Sequence, residues 1–207
     1  MARRVVACWA FAVCCAVGGV AQAASPITCV GLWAPDTSED ALRRYFGPPQ
    51  VRHEKIHVGE GEFEDGSVIY PDTPSLTILV LWKDSAGRRN PSSIRLRDRS
   101  RQVVYERIGI GTTLKALERL NGRPFALAGF DFDYSGTVTS WLGGRLESIS
   151  GPACEIKVRL LPSLPKSPSP EQLRAGQATE GDRDFKSSDP NMQLLNPRVY
   201  EVLLIYR

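Results

Sequence analysis

The segment from His53 to His57, with sequence HEKIH, satisfies the H-E-x-x-H pattern of zinc hydrolases. On a helix, His53 and His57 would lie one turn apart and bind one zinc ion, while Glu54 would activate a bound water. Prolines at 48–49 and glycines at 59 and 61 leave room for barely two helical turns. A strand over 51–58 is therefore the favoured prediction, with the histidines about 13 Å apart, too far for one ion. The zinc hydrolase remains the alternative hypothesis.

Asp131 and Asp133 alternate with the aromatic residues Phe130, Phe132 and Tyr134. In a strand, this spacing places the two carboxylates on one face and packs the three rings on the other. Carboxylates about 7 Å apart can act as acid and base or hold a hard cation. Two interpretations stay open, namely outward positions of an edge hairpin or contacts that grip a basic partner surface.

Other exposed residues of the predicted turns and strands can contact a partner protein. Phe63 lies in the acidic segment 59–66, which lacks the ligand spacing of a calcium loop. The serines have no histidine placed by a known catalytic motif, and no glycine pattern that cradles a phosphate is present. We therefore predict no catalytic residue, no metal and no cofactor. The candidate partner-binding residues are Asp131, Asp133, Tyr134, Trp141 and Phe63, although core packing is the favoured interpretation for Trp141.

The first residues predict export from the cytoplasm. Arg3 and Arg4 precede an apolar stretch over 5–20, and an A-x-A cleavage pattern follows at 21–23. We predict a signal peptide over residues 1–24, cleaved after Ala23 or Ala24, no transmembrane helix in the remaining chain, and a periplasmic or secreted protein.

Cleavage would leave Cys29 and Cys154 as the remaining cysteines of five. In an exported chain, two cysteines are most simply one disulfide, with two separate buried thiols as the alternative. The formal charge of +3 would fall to +1 with the loss of two arginines, which argues against a nucleic-acid partner. The basic run from Arg95 to Arg101 predicts a solvated strand edge and turn.

Residues 37–49 align without a gap on residues 112–124, with six of thirteen positions identical. Each copy predicts a helix, which begins near Asp36 or Thr37 in the first copy and near Thr112 in the second, and ends at a glycine. With strands predicted around both helices, the echo predicts an α+β fold of two tandem helix-plus-antiparallel-sheet repeats, over 25–92 and 93–161, whose helices pack on one face of the sheet. Residues 162–191 predict a mobile loop, and residues 192–207 a C-terminal strand that returns to the sheet.

A capped helix that ends in Leu-x-Gly-x-Pro, followed by a three-stranded meander, resembles the repeat of outer-membrane assembly lipoproteins of the SmpA/OmlA (BamE) type. The tandem form resembles the secreted β-lactamase inhibitor proteins. Segments 110–125 and 129–134 are also similar to a group of exported bacterial proteins of unknown function. The resemblance implies binding to another envelope or secreted protein without catalysis. The prediction is an exported, non-catalytic interaction or inhibitor module, with its oligomeric state left open.

Overall fold

A computed structural model describes residues 26–105 and 107–207, so the predicted signal peptide lies outside the described residues. The strands are β1 (Val51–Gly59), β2 (Glu62–Ile69), β3 (Ile78–Asp84), β4 (Arg89–Arg97), β5 (Val103–Val104), β6 (Ile108–Gly109), β7 (Ala126–Ala128), β8 (Val138–Ser140), β9 (Cys154–Leu161), β10 (Asp184–Lys186) and β11 (Arg198–Tyr206). The α-helices are α1 (Glu39–Phe46), α2 (Leu114–Asn121), α3 (Pro170–Ala178) and α4 (Pro190–Leu195).

Six strands form one antiparallel sheet in the order β1-β2-β3-β4-β11-β9. Two small sheets, β10-β7-β8 and β5-β6, lie outside it. The predicted α+β fold of two helix-plus-sheet repeats is wrong, because the described chain is mostly β with four short helices. Between α2 and β9 the chain makes only the three-residue strands β7 and β8. A turn replaces the strand predicted around Asp131 and Asp133, and Asp131 has a φ of +62° there.

The two helices formed by the matching segments 37–49 and 112–124 nevertheless agree in detail. Helices α1 and α2 begin and end at positions 75 residues apart. The side chains of Ser38 and Thr113 accept hydrogen bonds from the first turns, and Gly47 and Gly122 end the helices with positive φ angles. Each cap lies slightly later than predicted. The echo therefore reflects two similar helix ends and does not extend to the strands that follow them.

The main core lies on one face of the six-stranded sheet. Leu42 of α1 and Leu117 of α2 are fully buried in it, together with alternate residues of the strands such as Ile94 and Leu204. This alternation leaves the intervening residues of β4, β9 and β11 on the opposite face. There, a smaller apolar cluster forms over β1, β2 and β3 (Ile56, Val68, Leu79 and Leu81).

A buried carboxylate ties α1 to the sheet. Glu39 accepts hydrogen bonds from the Ser67 hydroxyl at 2.6 Å and from Arg43 Nε at 2.9 Å, and Arg88 Nε lies 3.2 Å away. The indole of Trp82 donates to the Ser67 oxygen at 2.9 Å. Burial alone would raise the pKa of Glu39, but these hydrogen bonds and the two arginine charges together lower it below its ordinary value.

The Cys29–Cys154 disulfide is formed, with Cα atoms 6.0 Å apart. It attaches the first described residues to β9. Within residues 27–33, Ile27 forms a β-bridge with Val104, and a 3-10 turn follows at Gly31–Trp33. No helix in the described part of the chain is long and apolar enough to span a membrane.

The segment predicted as a mobile loop, 162–191, contains α3, β10 and the beginning of α4. A capping box of Ser169 and Gln172 starts α3. The buried Ser187 hydroxyl donates to Glu118 Oε1 at 2.6 Å, which connects the segment to α2. The last strand, β11, lies between β4 and β9 in the interior of the sheet.

Candidate functional site

The zinc-hydrolase pattern lies on β1, so the predicted strand is confirmed. His53 pairs with Ser67 and His57 with Phe63 on β2. Four residues of strand separate the imidazoles by about 13 Å. Glu54 projects from the opposite face of the strand and forms a 3.3 Å ion pair with Arg52. The helix that a zinc hydrolase needs is not formed here, and no group of three potential ligands converges within the described residues.

The segment 130–136, which we call the aromatic loop, is a turn between β7 and β8. The predicted strand is wrong here, because Asp131 has a φ of +62° and the alternation of faces breaks. Of its three aromatic rings, only that of Phe130 is buried. Phe132 and Tyr134 are 54% and 70% exposed, beside exposed Asp131 and Asp133. The loop therefore presents two rings and two carboxylates to solvent together.

Hydrogen bonds hold the backbone of the aromatic loop. The Asp131 amide donates to the Ser135 hydroxyl at 3.2 Å, and the Ser135 amide donates to the carbonyl of Phe132 at 2.9 Å. Arg159 Nη2 donates to the carbonyl of Asp133 at 3.2 Å. A Cβ at Gly136 would collide with the Leu160 carbonyl oxygen of β9, so the loop backbone packs directly on the sheet. The exposed side chains thus project from a fixed backbone.

Phe63 occupies a comparable position at the end of the β1–β2 hairpin. Its ring is 58% exposed and lies 5.2 Å from the ring of His57. Exposed Glu62 and Glu64 flank it. Arg97 Nη1 donates to the carbonyl of His57 at 3.0 Å, so an arginine braces this hairpin as Arg159 braces the aromatic loop.

Trp141 differs from the other candidate contacts because the structure places it in the core. Its side chain is 7% exposed and lies 5.2 Å from the ring of Phe125. Its carbonyl accepts a 2.9 Å hydrogen bond from the side chain of Asn121. We therefore do not include it in the candidate binding surface.

The sequence did not identify the three arginines that contact the aromatic loop and the β1–β2 hairpin. Arg95 and Arg97 belong to β4, which lies between β3 and β11, so the predicted solvated strand edge is wrong. The alternation around Leu96 was a usable signal, because it places both guanidiniums on one face. Arg159 carries no comparable signal, since its neighbours become known only with the strand register.

The comparisons with known proteins identify no relative. No protein-family model matches the chain, and neither a curated protein nor a solved structure is significantly similar to it. The functional argument therefore depends on the geometry of the described residues.

Proposed function

We propose that the protein is an exported, non-catalytic module that binds another envelope or secreted protein through the aromatic loop. The observation that carries this proposal is the exposure of Phe132 and Tyr134 on a fixed backbone. Aromatic rings give a large contact area at a small cost in conformational entropy, and they dominate many binding interfaces. A preorganised loop also loses little freedom when it binds.

The charges of the loop define the chemistry of its partner. Asp131 and Asp133 lie beside the exposed rings, so a complementary surface would offer basic groups around an apolar pocket. Phe63 with its flanking glutamates presents the same combination on the β1–β2 hairpin. We propose this hairpin as a second contact with the same partner.

Export is part of the proposal. The Cys29–Cys154 disulfide favours an oxidising compartment, and the pattern of residues 1–24 is typical of a signal peptide. The periplasm or the extracellular space is therefore the proposed location.

Site-specific photo-crosslinking in the native envelope tests the proposal. A photoreactive residue at position 132 or 134 should capture one common partner, and the same residue at Leu173, 50% exposed on α3, should not. Replacing Asp131 and Asp133 with asparagine should weaken the capture. With the purified partner, Tyr134→Ala should weaken binding by roughly thirtyfold, the cost of one hot-spot residue.

Two outcomes would contradict the proposal. Capture of the same proteins from position 173 would show that the aromatic loop has no special role. Hydrolysis of a substrate by the purified protein, abolished by a single substitution such as Glu54→Gln, would show an enzyme instead.

A further inference from the structure

A row of charged side chains crosses three neighbouring strands on the face opposite the main core. Glu201 of β11 pairs with Arg97 of β4 on one side and with Arg159 of β9 on the other. Arg95 lies two residues before Arg97 on β4, so its side chain is on the same face. These four side chains line a cavity of about 620 Å³, which we call the arginine cavity. Its size falls in the usual range for sites that hold small molecules, about 300–1,000 Å³.

The positive charge of the arginine cavity exceeds what its carboxylates neutralise. Glu201, 8% exposed, lies 3.1 Å from Arg159 Nη1 and 3.9 Å from Arg95 Nη1. Asp98 lies 3.5 Å from Arg97 Nε but is largely in solvent. With Arg198, the lining holds four arginines against these two acids, a net charge of +2. A partly enclosed cavity with this excess attracts anions.

Several N–H groups of the cavity arginines have no hydrogen-bond acceptor in the described part of the chain. The Nε atoms of Arg95, Arg97 and Arg159 are shielded from solvent and form no hydrogen bond to a described residue. Unsatisfied buried donors such as these are costly. Arg95 and Arg97 each donate from Nη1 to a carbonyl of β1, and their Nη2 atoms, which are not among the buried donors, have no hydrogen-bond partner among the described residues. An oxyanion that accepts from the Nη2 groups would form strong charge-assisted bonds and neutralise the excess charge.

Apolar residues form much of the remaining lining. Leu161, Pro162 and Leu203 contribute from the strands and the segment after β9, together with Ile110. The ring of Tyr200 lies 5.5 Å from the Arg159 guanidinium. We propose that the arginine cavity binds an organic anion, with its carboxylate or phosphate group on Arg95 and Arg97 and an apolar body against these walls. The proposed ligand of this cavity is a small molecule and not the protein partner proposed for the aromatic loop, although Arg159 contacts both the cavity and the loop backbone.

Titration of the purified protein with phenyl phosphate, benzoate, inorganic phosphate and benzyl alcohol tests the site. Phenyl phosphate or benzoate should shift the amide resonances of residues 95–97, 159–163 and 198–203, and should leave α3 unchanged. Inorganic phosphate, which lacks the apolar body, and benzyl alcohol, which lacks the charge, should each bind at least about tenfold more weakly. If benzyl alcohol bound as tightly as the aromatic anions, the role of charge would be refuted. If inorganic phosphate bound as tightly as they do, the role of the apolar walls would be refuted.

Substitutions locate the anionic group. Arg95→Gln and Arg97→Gln should each lower the affinity about tenfold or more, as expected for the loss of one charge-assisted hydrogen bond. Arg174→Gln removes an exposed arginine of α3 and should change the affinity by less than about twofold. If a cavity variant fails to fold, the resonance shifts of the unsubstituted protein decide the question. Absence of binding by both aromatic anions at millimolar concentration, or undiminished affinity in the folded cavity variants, would overturn the proposal.

Discussion

Removing the disulfide should strongly destabilise the protein. The double substitution Cys29→Ala and Cys154→Ala breaks a cross-link between residues 125 positions apart. In the chain-entropy account, a cross-link that closes a loop of this length lowers the entropy of the unfolded chain by about 16 cal/mol/K, which corresponds to about 5 kcal/mol at 25 °C. The free energy of unfolding of most domains is only about 5–15 kcal/mol.

The folded state keeps other contacts that hold the same segment. The Ile27 amide donates to the carbonyl of Val103, and the hydroxyl of Tyr206 donates to the carbonyl of Trp33. The variant should therefore fold, and the loss should come mainly from the greater freedom of the unfolded chain. We expect a decrease of about 2–5 kcal/mol in the free energy of unfolding, with the entropy estimate as the upper end.

Urea denaturation followed by tryptophan fluorescence measures this decrease. The oxidised protein, the reduced protein and the double variant should be compared, and the last two should unfold at the same urea concentration. A loss below about 1 kcal/mol would refute the reasoning, because it would mean that the cross-link barely restricts the unfolded chain. A large difference between the reduced protein and the variant would show that packing at the sulfur atoms contributes instead.

Three further predictions concern residues of the core and the aromatic loop. Because the folded pKa of Glu39 is lowered, its contribution to stability is present above its ordinary pKa of 4.5 and lost as the pH falls through the folded value. Glu39→Gln should therefore flatten the acid limb of a plot of unfolding free energy against pH. In urea denaturation, Gly136→Ala should cost about 2 kcal/mol or more through its clash with β9, whereas Gly151→Ala, which meets no atom within 4 Å, should change stability by less than about 0.5 kcal/mol. Trp141→Ala should cost about 3–5 kcal/mol and Tyr134→Ala less than about 0.5 kcal/mol in the same measurement, since only the first side chain is buried.

Each of these predictions has an outcome that contradicts it. An unchanged acid limb in the Glu39→Gln variant would show that the carboxylate has the same pKa in both states. Equal destabilisation by the two glycine substitutions would mean that the loop backbone can move away from β9. A Tyr134→Ala variant as unstable as Trp141→Ala would remove the basis for treating the aromatic loop as a contact surface.

Sequence reasoning succeeds where the local pattern determines the structure. The prolines and glycines around 51–58 leave no room for a long helix, and the structure forms β1 there. The helix ends at Gly47 and Gly122 also follow from local chemistry, because each glycine adopts a positive φ angle. These features depend on a few consecutive residues, so one sequence is sufficient to predict them.

The sequence does not predict features that depend on distant residues meeting. Arg159 lies beside Glu201 only because β9 pairs with β11 in one particular register. The repeat hypothesis failed for a related reason, since two similar helices do not determine which strands follow them or how those strands pair. In the aromatic loop, alternation of residue types predicted a strand, but Asp131 adopts a left-handed turn conformation.

The interior position of β11 has a consequence for biogenesis. This strand follows β4 and β9 in the sequence, yet it supplies hydrogen-bond partners to both. Before residues 198–206 have been synthesised, each of those strands has an unpaired edge, and the sheet cannot close. Closure of the sheet therefore waits for β11, and until then the open edges of β4 and β9 can pair with strands of other chains.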